Sequence, residues 1–66
     1  MGVKNKLKEI RMREYMLSSQ DFAEKLGVAR STYSQWEKGT NNPTLEKSFD
    51  IAIKLNKKLE DIWYFE

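Results

Sequence analysis

Two short apolar helical faces follow one another within residues 19–36 (SQDFAEKLGVARSTYSQW). Phe22 and Leu26 are four residues apart, so they share one face of a helix. Tyr33 and Trp36 are three residues apart and give a second helix its own apolar face. A chain with this pattern has to bury two short helices against each other, which is the strongest constraint on its fold.

A single glycine separates the two predicted helices. A residue that leaves a helix often adopts a positive φ, which suits Gly27, and the small Ala23 allows the second helix to cross close to the first. Two helices joined by a turn of three or four residues form a helix-turn-helix. The sequence therefore predicts helices over 19–26 and 30–38, with the turn at 27–29.

The outer face of the second helix is polar and carries no carboxylate. The N-terminal residues of such a helix can contact base edges in the major groove, where arginine pairs with guanine and glutamine with adenine. A solvated polar surface is the alternative for each of these positions. The candidate base contacts are Arg30, Ser31, Thr32, Ser34 and Gln35.

Candidate contacts to DNA phosphates flank this helix. The N-terminus of the preceding helix offers free backbone N–H groups and a favourable dipole, although Ser18 could simply cap it. The loop after the second helix lies within reach of the DNA backbone, although asparagine is also an ordinary turn residue. The candidate backbone contacts are Ser19, Gln20, Lys38, Thr40, Asn41 and Asn42.

The rest of the chain predicts two more helices and one short helical turn, in a single domain spanning residues 1–66. The first helix covers 4–16, the fourth runs from 44 or 45 to 55, and the short turn covers 59–63. Gly39 and Pro43 bound a loop before the fourth helix. Helical spacing on the fourth helix favours an apolar face made of Leu45, Phe49, Ala52 and Leu55, with Ile51 alongside.

Composition excludes several classes of function. The chain has no Cys and no His, so we expect no disulfide, no Cys- or His-ligated metal, no cofactor and no enzymatic activity. The net charge of +2 is unevenly placed: 8 basic minus 5 acidic residues give +3 in residues 1–40, and 4 minus 5 give −1 in residues 41–66. A basic N-terminal part suits a polyanion. We expect a cytoplasmic protein, because no stretch is typical of a membrane span or a signal peptide.

Several longer segments carry a resemblance to a known family. They are LKEIR at 7–11, FAEKLGV at 22–28, RSTYSQWEKG at 30–39, NPTL at 42–45 and LEDI at 59–62. With these segments the chain resembles the Cro/phage-repressor-like (XRE) helix-turn-helix family. The resemblance implies a compact, all-α, five-helix, lambda-repressor-like domain whose third helix enters the DNA major groove. It also implies a transcriptional regulator, in particular a repressor, that binds a palindromic operator as a homodimer.

The chain also departs from the family pattern. Ser19 stands where a glutamine commonly opens the second helix, and Ala29 where a Ser or Thr commonly caps the third. The connection between the first two helices is one residue longer than usual. Arg11 and Glu37 occupy positions that the resemblance assigns to an internal ion pair; two separate surface charges are the alternative.

Three consecutive aromatic residues occupy positions 63–65, beginning at the last residue of the predicted segment 59–63. No helix face can bury all three, so we expect Trp63 to close the core and Tyr64 and Phe65 to serve a partner surface or a C-terminal strand. Residues 59–66 are thus a candidate dimer segment, although the tail could fold back over its own core. The predicted dimer interface is Ile53, Trp63, Tyr64 and Phe65. An antitoxin-like or adaptor module, acting mainly through another protein, is the alternative function.

Overall fold

The computed structural model describes residues 2–66, which form five helices and one small sheet. The helix-turn-helix bounds predicted from the sequence are confirmed, since both helices begin and end at the predicted residues. In chain order the elements are β1 (Val3–Asn5), α1 (Leu7–Ile10, continued by a π-helical turn over Arg11–Tyr15), α2 (Ser19–Leu26), α3 (Arg30–Lys38), α4 (Leu45–Lys54), α5 (Leu59–Ile62) and β2 (Trp63–Phe65).

One hydrophobic core holds the helices together. Its centre is aromatic: the Phe22 ring lies 5.5 Å from the ring of Tyr15 and 5.4 Å from that of Tyr33, the latter edge to face. Such aromatic pairs add about 0.5–1.5 kcal/mol beyond the area they bury. The buried apolar residues are Leu7, Ile10, Phe22, Ala23, Leu26, Tyr33, Trp36, Ile51, Ala52, Leu55, Ile62 and Trp63.

The all-α prediction is incomplete, because the two ends of the chain form an antiparallel sheet. Val3 pairs with Phe65 and Asn5 with Trp63, and Gly2 and Glu66 exchange backbone hydrogen bonds at 2.8 and 2.9 Å. The prediction that the first helix begins at residue 4 is therefore wrong. Strand pairing between residues so distant in sequence leaves no periodic signal in either segment, and both segments are too short to alternate clearly.

A side chain in β1 starts the first helix. The Asn5 Oδ1 accepts a hydrogen bond from the Leu7 N–H at 3.1 Å, and its Nδ2 donates to the Trp36 carbonyl at 2.7 Å. Asparagine commonly begins a turn in this way. Asn5 thereby ties β1 to the start of α1 and to the C-terminal turn of α3.

The end of the first helix widens into a π turn. The N–H of Met16, which has a left-handed φ of 51°, donates to the Arg11 carbonyl, and Leu17 donates to the same oxygen at 3.4 Å. A turn closed by an i→i+5 bond contains one more residue than an α turn. The π turn therefore takes up one residue more than an α-helical turn before the chain continues to α2.

The inner face predicted for α4 is partly wrong. Leu45 and Phe49 are 69% and 50% exposed, whereas Ile51, Ala52 and Leu55 face the core. The helix carries two apolar strips, and helical spacing alone does not indicate which one faces inward. Contacts with distant elements decide the orientation of α4, and they leave the Leu45 strip outside.

Arg11 and Glu37 form a largely buried ion pair between the first helix and α3. The Arg11 Nε and Nη2 donate to the two Glu37 oxygens at 3.1 and 3.3 Å, and the two side chains are only 13% and 16% exposed. The Tyr33 hydroxyl donates to the same carboxylate, while the Arg11 Nη1 donates to the Leu17 carbonyl at 2.9 Å. One guanidinium thus fixes α3, the π turn and the start of the next connection.

The pKa values of the Glu37 carboxyl and the Tyr33 phenol shift in opposite directions. Burial by itself would raise the pKa of Glu37, but hydrogen bonds from Arg11 and Tyr33 outweigh it, so the pKa lies below its usual value of 4.5. Burial, followed by the hydrogen bond to Glu37, raises the pKa of the Tyr33 phenol. The carboxylate is therefore charged and the phenol neutral near neutral pH.

We predict that Glu37→Gln lowers the free energy of unfolding by about 3–5 kcal/mol, because it leaves the Arg11 charge buried without its partner. Glu9→Gln is the matched control. Glu9 pairs with Arg13 on the solvent-exposed side of the first helix, and such an exposed ion pair contributes about 0–1 kcal/mol to stability. Urea unfolding at neutral pH measures both variants, and equal losses would contradict a special role for Glu37.

The same variant should change the pH dependence of stability. Folding lowers the pKa of Glu37, so the charged carboxylate stabilises the folded state fully at pH values above its unfolded-state pKa, near 4.5. This stabilisation is lost as the pH falls through the pKa of the folded state. The difference in unfolding free energy between wild type and Glu37→Gln should therefore shrink below about pH 4.5. A difference that stays constant down to pH 2 would contradict the assignment.

Candidate nucleic-acid interface

Close packing of α2 on α3 positions the polar outer face of α3. Phe22 of α2 contacts Tyr33 of α3, and Ala23 is buried beside them. Gly27 ends α2 with a φ of 75°, and the next amide, that of Val28, donates to the Ala23 carbonyl at 3.0 Å. This turn directs the chain into α3 without a Cβ at the left-handed position.

The outer face of α3 gathers four of the five predicted base contacts and one predicted backbone contact. At 100° per residue they span an arc of about 140°, opposite the buried Tyr33 and Trp36. Thr32 lies at the edge of this arc, next to the Trp36 side, and is half-buried. The residues within the arc are Arg30, Ser31, Ser34, Gln35 and Lys38, of which Ser34 is half-buried and the others are exposed.

The N-termini of the two helices differ. The Ser18 hydroxyl caps α2 by accepting a hydrogen bond from the Asp21 N–H at 3.1 Å, and Asp21 places a carboxylate in the first turn. Ala29 stands at the N-cap of α3 with a side chain that cannot accept a hydrogen bond, as the sequence indicated. The first amides of α3 therefore remain available to an external anion, in a turn that contains Arg30 and no acid.

The loop after α3 folds back onto the end of that helix. Gly39, with a φ of 81°, reverses the chain, so that the Thr40 N–H donates to the Gln35 carbonyl at 3.0 Å. The Asn41 side-chain Nδ2 donates to the Gln35 Oε1. Two predicted backbone contacts and one predicted base contact thus lie together, and Asn42 follows them in the exposed loop.

Two lysines of α4 hold the C-terminal end of α2. The Lys47 and Lys54 ammonium groups donate to the Leu26 carbonyl at 3.3 and 3.1 Å, and both also contact the Asp50 carboxylate at 3.2 Å. Hydrogen bonds from Lys54 and then Lys47 lower the pKa of Asp50. This cluster was not predicted from the sequence. The lysines and the aspartate at spacings of three and four along α4 were the available signal, but nothing local identified Leu26 as their target.

Comparison with known proteins agrees with this geometry. A helix-turn-helix family model matches residues 7–62, from the first residue of α1 to the last of α5. The chain belongs to the XRE-type helix-turn-helix family. This family is one of DNA-binding transcriptional regulators, and the resemblance stated from the sequence is thereby confirmed.

Three relatives are similar to this chain in length. One is an uncharacterized HTH-type transcriptional regulator of Methanocaldococcus jannaschii, 44% identical over 64 residues, covering 97% of this chain and 96% of that protein. Two uncharacterized HTH-type transcriptional regulators of Archaeoglobus fulgidus are 34% and 33% identical over 64 residues, covering 97% of this chain and 89% and 90% of theirs. Within residues 2–66, no helix has the length and apolar character needed to cross a bilayer.

The residues predicted for a dimer interface separate in this helix-turn-helix domain. Trp63 is 9% exposed and belongs to the core, and Phe65 lies two residues further along β2, on the same face of the sheet. Tyr64 lies on the opposite face, with the Lys6 ammonium 5.8 Å from its ring centroid. Ile53 is exposed on α4. A single flat surface therefore cannot include both Tyr64 and Phe65.

An apolar groove lies on the Phe65 side of the sheet, next to the exposed strip of α4 that begins at Leu45. An open groove of about 340 Å³ is lined by Val3, Pro43, Leu45, Leu59 and Trp63, together with Asn42 and Ser48. Leu45 continues from the groove into a strip along α4, since the exposed residues of that helix recur every four positions. We call the residues Val3, Leu45, Phe49, Ile53 and Phe65 the apolar face; all five are exposed.

We predict that Gly27→Ala destabilises this helix-turn-helix more than Gly39→Ala does. Both glycines have a left-handed φ, which costs an alanine about 1 kcal/mol. A Cβ at Gly27 would also lie 3.2 Å from the Lys54 Nζ and disturb its bond to Leu26, whereas a Cβ at Gly39 meets nothing within 4 Å. Urea unfolding measures the two losses. When Lys54 is also replaced by alanine, Gly27→Ala should cost no more stability than Gly39→Ala. A larger loss for Gly27→Ala that persists in this background would show that Lys54 is not its cause.

Proposed function

We propose that the protein binds double-stranded DNA sequence-specifically, as a small dimeric transcriptional regulator whose α3 enters the major groove. The observation that carries this proposal is the outer face of α3, where Arg30, Ser31 and Gln35 are exposed on a helix that two buried aromatic residues anchor to the core. Side chains held in this way can contact base edges with little rearrangement. Thr32 and Ser34, half-buried beside them, are suited to shorter contacts with a phosphate or a thymine methyl group.

Phosphate contacts would fix the position of α3 in the groove. The uncapped N-terminus of α3 offers amides next to Arg30, and Lys38 extends the positive charge to the other end of the helix. The loop that follows the C-terminal end of α3 exposes three polar residues, Thr40, Asn41 and Asn42. Ser19 and Gln20 would contribute amides from α2, although the nearby Asp21 carboxylate weakens that end as an anion site.

A repressor role fits this arrangement. A small domain that occupies a DNA site excludes other proteins from the same site, and this exclusion needs only affinity and specificity. A two-fold dimer would present two copies of α3 about 34 Å apart, one turn of the double helix. The expected operator is therefore a palindrome with half-sites one turn apart.

Selection of bound duplexes from a randomised pool tests the proposal directly. Performed at 50 and at 150 mM salt, it should enrich one palindromic motif that persists at the higher salt, because base contacts are less sensitive to salt than phosphate contacts. Binding that disappears at the higher salt and enriches no motif would overturn sequence-specific recognition by this chain.

We predict that Arg30→Ala relaxes base preference at one position of each half-site, with a loss there of about 1–3 kcal/mol of discrimination. Arg13→Ala is the matched control, because Arg13 pairs with Glu9 on the exposed side of the first helix. Both variants are compared by the same selection. An unchanged preference in Arg30→Ala would remove Arg30 from the residues that contact bases.

We propose that the apolar face is where a second copy of the chain binds. Phe65 is 70% exposed and pairs across the sheet with Val3, which lines the groove, so a protruding ring and a groove lie side by side. A surface that carries both can pair with its own two-fold image, ring into groove, twice. The Leu45, Phe49 and Ile53 strip would extend the same contact along α4.

We predict that Phe65→Ala raises the dissociation constant of the dimer about tenfold or more, as expected for a central aromatic residue. Tyr64→Ala is the matched control, because it removes a neighbouring aromatic ring from the opposite face of the same strand. Sedimentation equilibrium measures both. A larger effect of Tyr64→Ala would move the interface to the other face of the sheet, and a wild-type monomer at high micromolar concentration would favour an adaptor that binds another protein.

A further inference from the structure

We infer that Asn41 determines base specificity through Gln35, by fixing the orientation of the Gln35 amide on the outer face of α3. This inference rests on the proposed function and assigns Asn41 a role other than phosphate binding. The contact between the two amides joins the loop after α3 to the last exposed polar side chain of the arc before Lys38.

Asn41 is attached to Gln35 at two points. Its backbone N–H donates to the Gln35 carbonyl at 3.4 Å, beside the 3.0 Å bond from Thr40, and its side-chain Nδ2 donates to the Gln35 Oε1. The left-handed turn at Gly39 brings the loop back far enough for both contacts. The backbone bonds do not depend on the side chain of Asn41, so they keep the loop in place when that side chain is changed.

The side-chain bond restricts what Gln35 can present to DNA. A free glutamine has three side-chain torsions to order on binding, and its terminal amide can point either way. When Asn41 binds the Gln35 Oε1, the Gln35 amide has a single orientation. Its Nε2 can then donate a hydrogen bond, and the second lone pair of its Oε1 can accept one on the same side. That fixed pair of donor and acceptor is what a glutamine needs for two parallel hydrogen bonds to adenine N7 and N6.

Gln35 and Asn41 should therefore determine the specificity at this base pair together. Gln35 is the residue in contact with the base, and Asn41 is a positioning residue that touches no base. A phosphate contact by Asn41 has a different consequence, because phosphates carry no sequence information and their loss weakens binding to all duplexes alike. The two roles can be separated by comparing preferences at single positions.

The test is selection of bound duplexes by five proteins: wild type, Asn41→Ala, Asn41→Asp, Gln35→Ala and the double variant Gln35→Ala/Asn41→Ala. Asn41→Asp keeps the shape of the side chain and replaces its donor by an oxygen that repels the Gln35 Oε1. Asn42→Ala is the matched control, since it removes the same amide one residue further along the exposed loop. Thermal unfolding of each free protein verifies its fold.

We expect wild type to prefer one base about 5- to 150-fold at the position that Gln35→Ala relaxes. Asn41→Ala and Asn41→Asp should reduce that preference roughly threefold or more at the same position only, and Asn41→Ala should add nothing once Gln35 is already alanine. Asn42→Ala, which removes a proposed phosphate contact, should weaken binding to all duplexes alike and leave this base preference intact.

Each other outcome has one meaning. A uniform loss of affinity in both Asn41 variants, with the base preference intact, overturns this inference and leaves the proposed function standing. Additive effects in the double variant also overturn it. A wild-type protein that enriches no motif overturns the proposed function itself, and the role of Asn41 with it.

Discussion

The carboxylate of Glu37 is the group on which the arrangement of the helices depends. It lies largely out of water, so it needs partners, and both partners are supplied by specific elements: Arg11 at the end of the first helix and Tyr33 one turn earlier in α3. The Arg11 guanidinium also donates to the Leu17 carbonyl, where the chain leaves the π turn. A change in the position of α3 relative to the first helix would break several charged hydrogen bonds at once.

The two faces of α3 therefore differ in what they do. Tyr33, Trp36 and Glu37 fix α3 within the domain, while the opposite face, which we propose contacts DNA, remains outside. Two further contacts restrict the movement of α2 and α3 together. Two lysines of α4 bind the Leu26 carbonyl at the end of α2, and Asn5, before the first helix, binds the Trp36 carbonyl of α3. A rigid support lets a small number of exposed side chains determine specificity.

Local sequence information predicted the part of the fold that local interactions determine. The spacing of Phe22 and Leu26, the Ser18 cap and Gly27 specify α2 and its end, and the structure places both helices of the motif at the predicted residues. A C-terminal strand was one of two alternatives for Tyr64 and Phe65, but its pairing with β1 was not predicted, because the two strands are three residues long and distant in sequence. The orientation of α4 was only half predicted, because an apolar strip that includes Phe49 competes with the one that contains Ile51. The ties of Asn5 and of Lys47 to distant carbonyls were missed for the same reason, since the accepting atom belongs to the backbone and carries no side-chain signal.

Pairing of β1 with β2 has a consequence for the order in which the domain is completed during synthesis. The strand that leaves the ribosome first finds its partner only after residues 63–65 have followed, so α2, α3 and α4 can associate while Val3–Asn5 is still unpaired. Trp63, which is part of the core, also arrives at that last stage. Closing a loop of this length costs entropy, and helices that are already packed between its ends reduce that cost. The two strands are therefore expected to pair late, on helices that have already associated.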